Sequence, residues 1–596
     1  MKKIYFKVAC AICLITMISF IACQKEFLEI QPIGQLSEQI LATKAGANKL
    51  LIGAYASLYG DRGYLGYDWF FSDIASHEAL WGFVWEPESD SFENHKGVPT
   101  YEIYNDKWSA FYYGVQRAND VLRLLPLVPA IELSENEALQ IKAEAMFLRG
   151  IFHFYLVKTW LNVPYIDETV TFSAGNYYVP NTTPVWPKIE ADFQFAAENL
   201  ADTKPDAGRA NKWAAKAFLA KTYMYQHKYA DALPLLTDCV DNGVTPKGEK
   251  YTLYANYFDN FDSNKEGGAE TVFSIQYTVN DGTGYGDNGN WPYVMAQPMV
   301  PETAGGGCSA VTFDLVNTFK TDAVNGLPLF DTYNDFNITN DMGLQASDPF
   351  TPYTGTLDPR LDHTVSRRGI PMLDWGLFGV YWIWEQEQQG CYAYKKHFFY
   401  KADLDINTQN AGWTTVNNTN IDVMRFADVL LFAAECEVEA GSLAKAEAYI
   451  NQVRSRAANP AGWQKTYVDD NDPSKGFTGT PAANYFIGLY TGQFTANGQA
   501  YARKAVHFER RLELALEGHR FGDLQRWDNG TGSMADELNA IIDHELNHTP
   551  ATYYPPNLQG VVFTKGKNEI YPIPQKQMDL SAVNGKSVLI QNPGYN

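Results

Sequence analysis

Residues 211–240, NKWAAKAFLAKTYMYQHKYADALPLLTDCV, read as two helices joined at about 226–228. Apolar side chains recur every three or four residues, which gathers them on one face of a helix. Ala217, Ala220, Ala230 and Ala232 are small enough to let two such faces approach closely. The same pattern extends in both directions. Upstream, LQIKAEAMFLRGIFHFYLVKTW (139–160) places Ile141, Ala145, Leu148, Phe152 and Tyr155 on one stripe. Downstream, RFADVLLFAAECEVEAGSLAKAEAYINQVRSRA (425–457) turns at Gly441-Ser442, with Ala434, Ala444 and Ala448 available for inner positions. ANKLLIGAYASLYG (47–60) and DKWSAFYYGVQRANDVLRLL (106–125) make an earlier pair.

A hairpin of about 34 residues cannot bury its apolar face alone and must stack on its neighbours. These units resemble tetratricopeptide (TPR) repeats. The expected fold is therefore mainly α: a TPR-like scaffold of about four helical hairpins, over about 40–241 and 424–527. Between its two parts lies a long irregular insert, about 242–423. It is rich in Gly, Asn, Asp, Tyr and Trp, with short β-like runs such as TVFSIQY (271–277) and breakers such as DNGNWP and TAGGGC. So long an insert in a helical repeat is where function is expected. Residues 61–105 share its loop-like, aromatic character.

No linker or charge run divides the 596 residues, so one composite domain is expected over 23–596. Residues 1–22 read as a secretory signal: Lys2, Lys3 and Lys7, an apolar stretch, then Ala22 before Cys23. The formal charge of −22, three units more negative without those lysines, speaks against nucleic acid and anionic lipid headgroups as partners. Cys239, Cys308, Cys391 and Cys436 are widely spaced, with no CxxC or nearby His pair. No metal site or cofactor is expected. DDNDPSKG (469–476) is loosely like a calcium loop but has Thr480 where the bidentate glutamate belongs.

Several further stretches occur in a telling order: Cys23, WSAFYYGVQRANDVL (108–122), AEAMFLRGIFHFYLVKTWLNVPYI (143–166), GRANKWAAKAFLAKTYMY (208–225), DPRLDHTV (358–365), RFADVLLFAAECEVEAG (425–441), ERRLELALEGHRFGDLQRW (509–527), YPIP (571–574) and NPGY (592–595). Together they resemble the SusD/RagB family, the surface glycan-binding lipoproteins that sit over SusC-type TonB-dependent transporters. The resemblance implies a non-enzymatic protein, lipid-anchored through Cys23 to the outer membrane and exposed at the cell surface. It would capture oligosaccharides or polysaccharides in an aromatic-rich cleft and pass them to the barrel. Phe20 departs from the lipobox, where an aliphatic residue is usual.

Flat rings in a polar groove hold the C–H faces of sugars, so aromatic residues in loops are the candidate ligands' partners. Trp81 and Trp85, four residues apart, would form one platform on a short helix, with Asp68 upstream. Arg368 and Trp375 follow DPRLD, and the resemblance implies that this arginine-rich loop reaches the cleft. Trp291, Tyr392 and Tyr394 complete the set. Two alternatives stand beside this reading. One is a peptide-binding subunit of a similar transporter. The other is a glycoside hydrolase, for which two facing carboxylates about 5–9.5 Å apart would be needed. The Glu, Arg and Asp of ERRLELALEGHRFGDLQRW look catalytic, but they lie on an amphipathic pattern ending at Gly518 that suits scaffold ion pairs better.

Overall fold

The structure is a computed structural model and describes residues 41–59, 71–82, 84, 87–300, 302–303 and 306–595. Among the described residues, nine helices carry the scaffold: α1 (Lys44–Ala56), α2 (Glu102–Leu124), α3 (Glu135–Trp160), α4 (Trp186–Asn199), α5 (Lys212–Met224), α6 (Tyr229–Asn242), α7 (Phe426–Ala440), α8 (Leu443–Ala457) and α9 (Gln493–Glu513). Each from α1 to α8 packs on the next, and α9 lies against both α7 and α8. The fold is mainly α, as the repeat pattern requires. Side-chain caps start the helices: Thr43 on α1, Ser134 in a reciprocal capping box with Glu137 on α3, Asn211 on α5 and Ser442 on α8.

Close approach is where the small residues matter. Ala217 and Ala220 are fully buried. Ala230, however, lies exposed, and so do Ala444 and Ala448; Ala446, Ile450 and Val453 form the inner face of α8 instead. Helix α8 starts after Ser442, as the turn at Gly441-Ser442 requires, and only the choice of inner face differs from the expected one. At Gly114 of α2, a Cβ would stand 2.4 Å from the ring of Phe152 on α3. Gly114→Ala is expected to cost about 1–3 kcal/mol through overpacking, read as a lower urea midpoint at unchanged helix content; an unchanged midpoint would show that α2 and α3 can separate freely.

The insert is bracketed by its own ends. Strand β1 (Thr271–Ile275) pairs antiparallel with β6 (Ile421–Arg425), in a register from Thr271–Arg425 to Ile275–Ile421. Between them run two short pairs, β2 (Val365–Ser366) with β3 (Ala393–Tyr394), and β4 (Thr408–Asn410) with β5 (Thr415–Asn417). Ala310–Val311 of the insert pairs antiparallel with Ala79–Leu80 outside it, and the rest is largely loops and short helical turns. The C-terminal stretches YPIP and NPGY clasp the end of α3: the Trp160 indole donates to the Pro572 carbonyl at 2.9 Å, and Asn592 donates to the Trp160 carbonyl at 2.8 Å. Cys239, Cys308, Cys391 and Cys436 are free and buried. Among the described residues no helix is long and apolar enough to cross a membrane.

Helix α9 ends at Glu513, not at Gly518; the chain turns through Leu516 and Gly518, both at positive φ, into α10 (Arg520–Asp528). Its charged residues form a buried ion-pair lattice. Glu513 meets Arg360 at 2.9 Å, Arg425 at 2.6 Å and also Arg456. Glu517 meets Arg425 and Lys396, each at 2.7 Å. Arg510 joins Asp428 and Asp523, and Arg526 joins Glu435. Arg360 and Lys396 belong to the insert, so the lattice fastens insert to scaffold.

The lattice predicts an acid limb of stability. Burial alone would raise the Glu517 carboxyl, but Arg425 and Lys396 outweigh it and hold it at about 2, against 4.5 in the open chain. A depressed carboxyl contributes its full stability above about pH 4.5 and loses it as pH falls toward 2; the shift corresponds to about 3 kcal/mol. Glu517→Gln should therefore flatten the fall in Tm between pH 4.5 and 2. Parallel profiles for variant and parent would contradict the assignment.

Candidate functional site

Most of the rings singled out in the sequence pack inside. Trp81 is buried in the main core. Trp375 is buried and donates its indole N–H to the Phe399 carbonyl at 2.9 Å. Tyr392 lies edge-on to Phe313 with centroids 5.2 Å apart, and Tyr394 is likewise buried on β3. None of these offers a ring face to solvent, because each packs into the main core. Arg368 is also buried. Its Nη2 donates to the carbonyls of Gln345, Ala346 and Asp348 at 3.1, 3.1 and 2.7 Å, and the guanidinium lies over Phe350. It fastens the 345–348 loop. Asp68, Trp85 and Cys23 lie outside the described residues.

Trp291 alone of the described set lies at an open face. It is half-buried, anchored by its indole N–H to the Gly286 carbonyl at 3.0 Å, and its ring stands 6.3 Å from that of Trp413. Trp413 sits at the tip of the β4–β5 hairpin and is 60% exposed. Gly412, at φ +87°, makes the turn, and a Cβ there would lie only 3.7 Å from the Tyr285 ring, so that exposed ring rests beside the hairpin. The loop carrying Tyr285 is held in place: Asn280, at φ +57°, donates its backbone N–H to the Gln409 side chain at 2.8 Å and its side-chain amide to the Thr408 carbonyl at 3.1 Å, across to β4. Asp281, exposed, is held at about 2 by hydrogen bonds from Asn288 and Thr283. Three rings and several amide and carboxylate groups thus share one rim of the insert.

A second open face lies at the other end of the segment that begins with Tyr285. There Trp384 is 62% exposed, with the exposed Met299 beside it, and Tyr381, three residues earlier in the chain, is exposed as well. Gly307 permits the approach, since a Cβ there would stand 2.8 Å from Met299 and 3.5 Å from Trp384. The backbone is tied by Met299 N–H to the Trp382 carbonyl at 3.0 Å and by the Gln389 amide to the Gly307 carbonyl. Sequence reasoning missed Trp384, Trp413 and Tyr285. A signal existed for Trp413, since TQNAGWTTVN reads as a hairpin with Gly at its turn.

The groups that suggest acid–base chemistry lie elsewhere. Lys221, Asp422, Glu517 and His519 line an internal cavity of ≈ 30 Å³. Burial raises Asp422 to about 8 and lowers Lys221 to about 8. That space holds about one water and no sugar. Asp469 and Asp472, in the calcium-like stretch, face Lys475 at 2.7 and 3.5 Å.

Two family descriptions match the chain: "SusD family" over residues 269–595, and "Starch-binding associating with outer membrane" over 26–224. SusD-like protein P25 of Formosa agariphila is 25% identical over 84% of this chain and 86% of its own length. A solved "Laminarin binding SusD-like protein" is 25% identical, covers 93% of this chain and 100% of its own, and superposes with a TM-score of 0.62. Surface glycan-binding protein A from Bacteroides thetaiotaomicron, solved in complex with laminarihexaose, is 20% identical over 92% of this chain and 99% of its own, with a TM-score of 0.58. With one family description spanning more than half of its length and a helical scaffold of the same fold, the chain belongs to the SusD family.

Proposed function

We propose that this protein binds neutral glycans at the cell surface, as a lipoprotein anchored through Cys23, and hands them to a SusC-type TonB-dependent transporter without cleaving them. The observation that carries the reading is the pair of exposed ring faces on the insert, Trp413 with Tyr285 and Trp291, and Trp384 with Tyr381. Large exposed rings are costly to leave in water and mark a binding surface. Stacked on sugar C–H faces, with Asn280, Asp281 and Asn410 beside them for hydroxyls, they suit a pyranose chain. The matched family description names starch, and the relative at 25% identity names laminarin, so glucans are the first ligands to test.

The test is calorimetric titration of the mature chain with laminarihexaose, maltohexaose and a pool of neutral peptides, with reducing ends assayed after long incubation. Glucan binding with no new reducing ends supports the proposal. Binding of peptides alone replaces the ligand class, and release of reducing ends replaces the activity. Co-purification with a co-expressed SusC-type barrel tests the transport partner.

A further inference from the structure

A third aromatic surface lies far along the chain from the insert, on the loop between α3 and α4. Phe172 is 82% exposed, and its ring stacks on that of Tyr177 at 5.0 Å and 23°. Tyr177 and Tyr178, also exposed, follow at 4.4 Å. The loop is held by its own polar groups: Asn176 accepts from the Thr171 N–H at 2.9 Å and donates to the Thr169 carbonyl at 3.0 Å. The three rings are therefore presented together on a braced loop.

Beside them opens a groove of ≈ 320 Å³ between that loop, α2 and the C-terminal segment. This is within the size range of small-ligand sites, about 300–1,000 Å³. Trp108 and Tyr112 lie along it on α2, and Gln577 and Leu580 form the facing wall. The Tyr112 hydroxyl donates to the Pro164 carbonyl at 2.6 Å, which fixes the loop to the helix. No lining side chain carries a charge, although the chain as a whole is at −22. The comparable groove beside α1, ≈ 370 Å³, differs in having Asp206, Arg209 and Lys247 in its wall. Rings, amide and hydroxyl groups without charge are the chemistry for a neutral polyhydroxylated chain.

We infer that Tyr177, Tyr178 and Phe172, with the groove floored by Trp108 and Tyr112, form a second binding site for a neutral glucan, separate from the two faces of the insert. The inference rests on the glycan-binding reading above. Two sites on one rigid scaffold raise the apparent affinity for a polymer long enough to reach both, while a hexasaccharide gains nothing from the second.

The experiment is affinity electrophoresis of the mature chain in gels containing laminarin or soluble starch, alongside titration with laminarihexaose and maltohexaose. Four proteins are compared: parent, Tyr177→Ala/Tyr178→Ala, Trp384→Ala/Trp413→Ala, and the fourfold variant. All substituted side chains are exposed, and an unchanged Tm verifies folding. The tyrosine variant should bind polymer about tenfold more weakly at unchanged hexasaccharide affinity for the insert, and the tryptophan variant should keep weak retardation that the fourfold variant loses. Parental retardation of the tyrosine variant overturns the second site and leaves the glycan reading intact. Loss in the tyrosine variant alone keeps the second site and overturns the assignment of binding to the insert. Failure of the parent to bind any of the four glucans overturns both, and so does a neutral peptide binding in their place.

Discussion

Glu513→Ala is expected to lower the stability of the folded chain by about 3–5 kcal/mol, the cost of breaking a buried ion pair by removing one partner. Glu513 is fully buried and faces Arg360, Arg425 and Arg456. Burial by itself would raise its carboxyl, yet the three guanidiniums hold it far below the ordinary range. Removal leaves Arg425 with Glu270 and Glu517, Arg360 with Asp358 and Glu509, and Arg456 with Glu270. Counting Lys396 on Glu517 and Arg454 on Glu509, five cations then face four carboxylates in a buried site. Because Arg360 comes from the insert and Arg425 and Arg456 from the scaffold side, the insert should loosen first. The readouts are the urea midpoint and the site of earliest proteolysis. Cleavage within the insert before the scaffold supports the account; a loss under about 1 kcal/mol would mean that the remaining carboxylates already neutralise the arginines.

Trp413→Ala and Trp384→Ala should each weaken glucan binding by about 2 kcal/mol, about thirtyfold in Kd, the loss typical of a central aromatic anchor. Neither should change stability by more than about 0.5 kcal/mol, since both rings lie on the surface. Trp375→Ala makes the contrasting control. Its buried ring and its bond to the Phe399 carbonyl mean that it should cost about 3–5 kcal/mol in stability. Binding that survives both exposed-ring substitutions would move the site off the two insert faces, with the α3–α4 face the next to test.

The scaffold was legible because a helix declares itself by period. Ile141, Leu148 and Phe152 fall on one stripe and are buried as the spacing demands. Helix α4 escaped notice, although Pro187 in its first turn is a start signal. The ligand rings were less legible for a physical reason. A tryptophan in an irregular loop has the same composition around it whether it seals the core, as Trp375 does, or faces water, as Trp413 does. The choice depends on where the backbone turns, and long-range contacts set that. Arg368 shows the same limit: its partners are the main-chain carbonyls of residues 345–348, and a carbonyl leaves no trace in the identity of a residue. The chemistry of ERRLELALEGHRFGDLQRW was readable as ion pairing, but which insert residues it would grip was not.

The β1–β6 pair sets the ends of the insert side by side. A chain that leaves and returns at one doorway can exchange what lies beyond it at little entropic cost, since closure grows only slowly with loop length. The insert is thus a graftable cassette on a helical frame, and a transplanted segment would need to bring only its own counterparts of Arg360 and Lys396 to lock into the recipient.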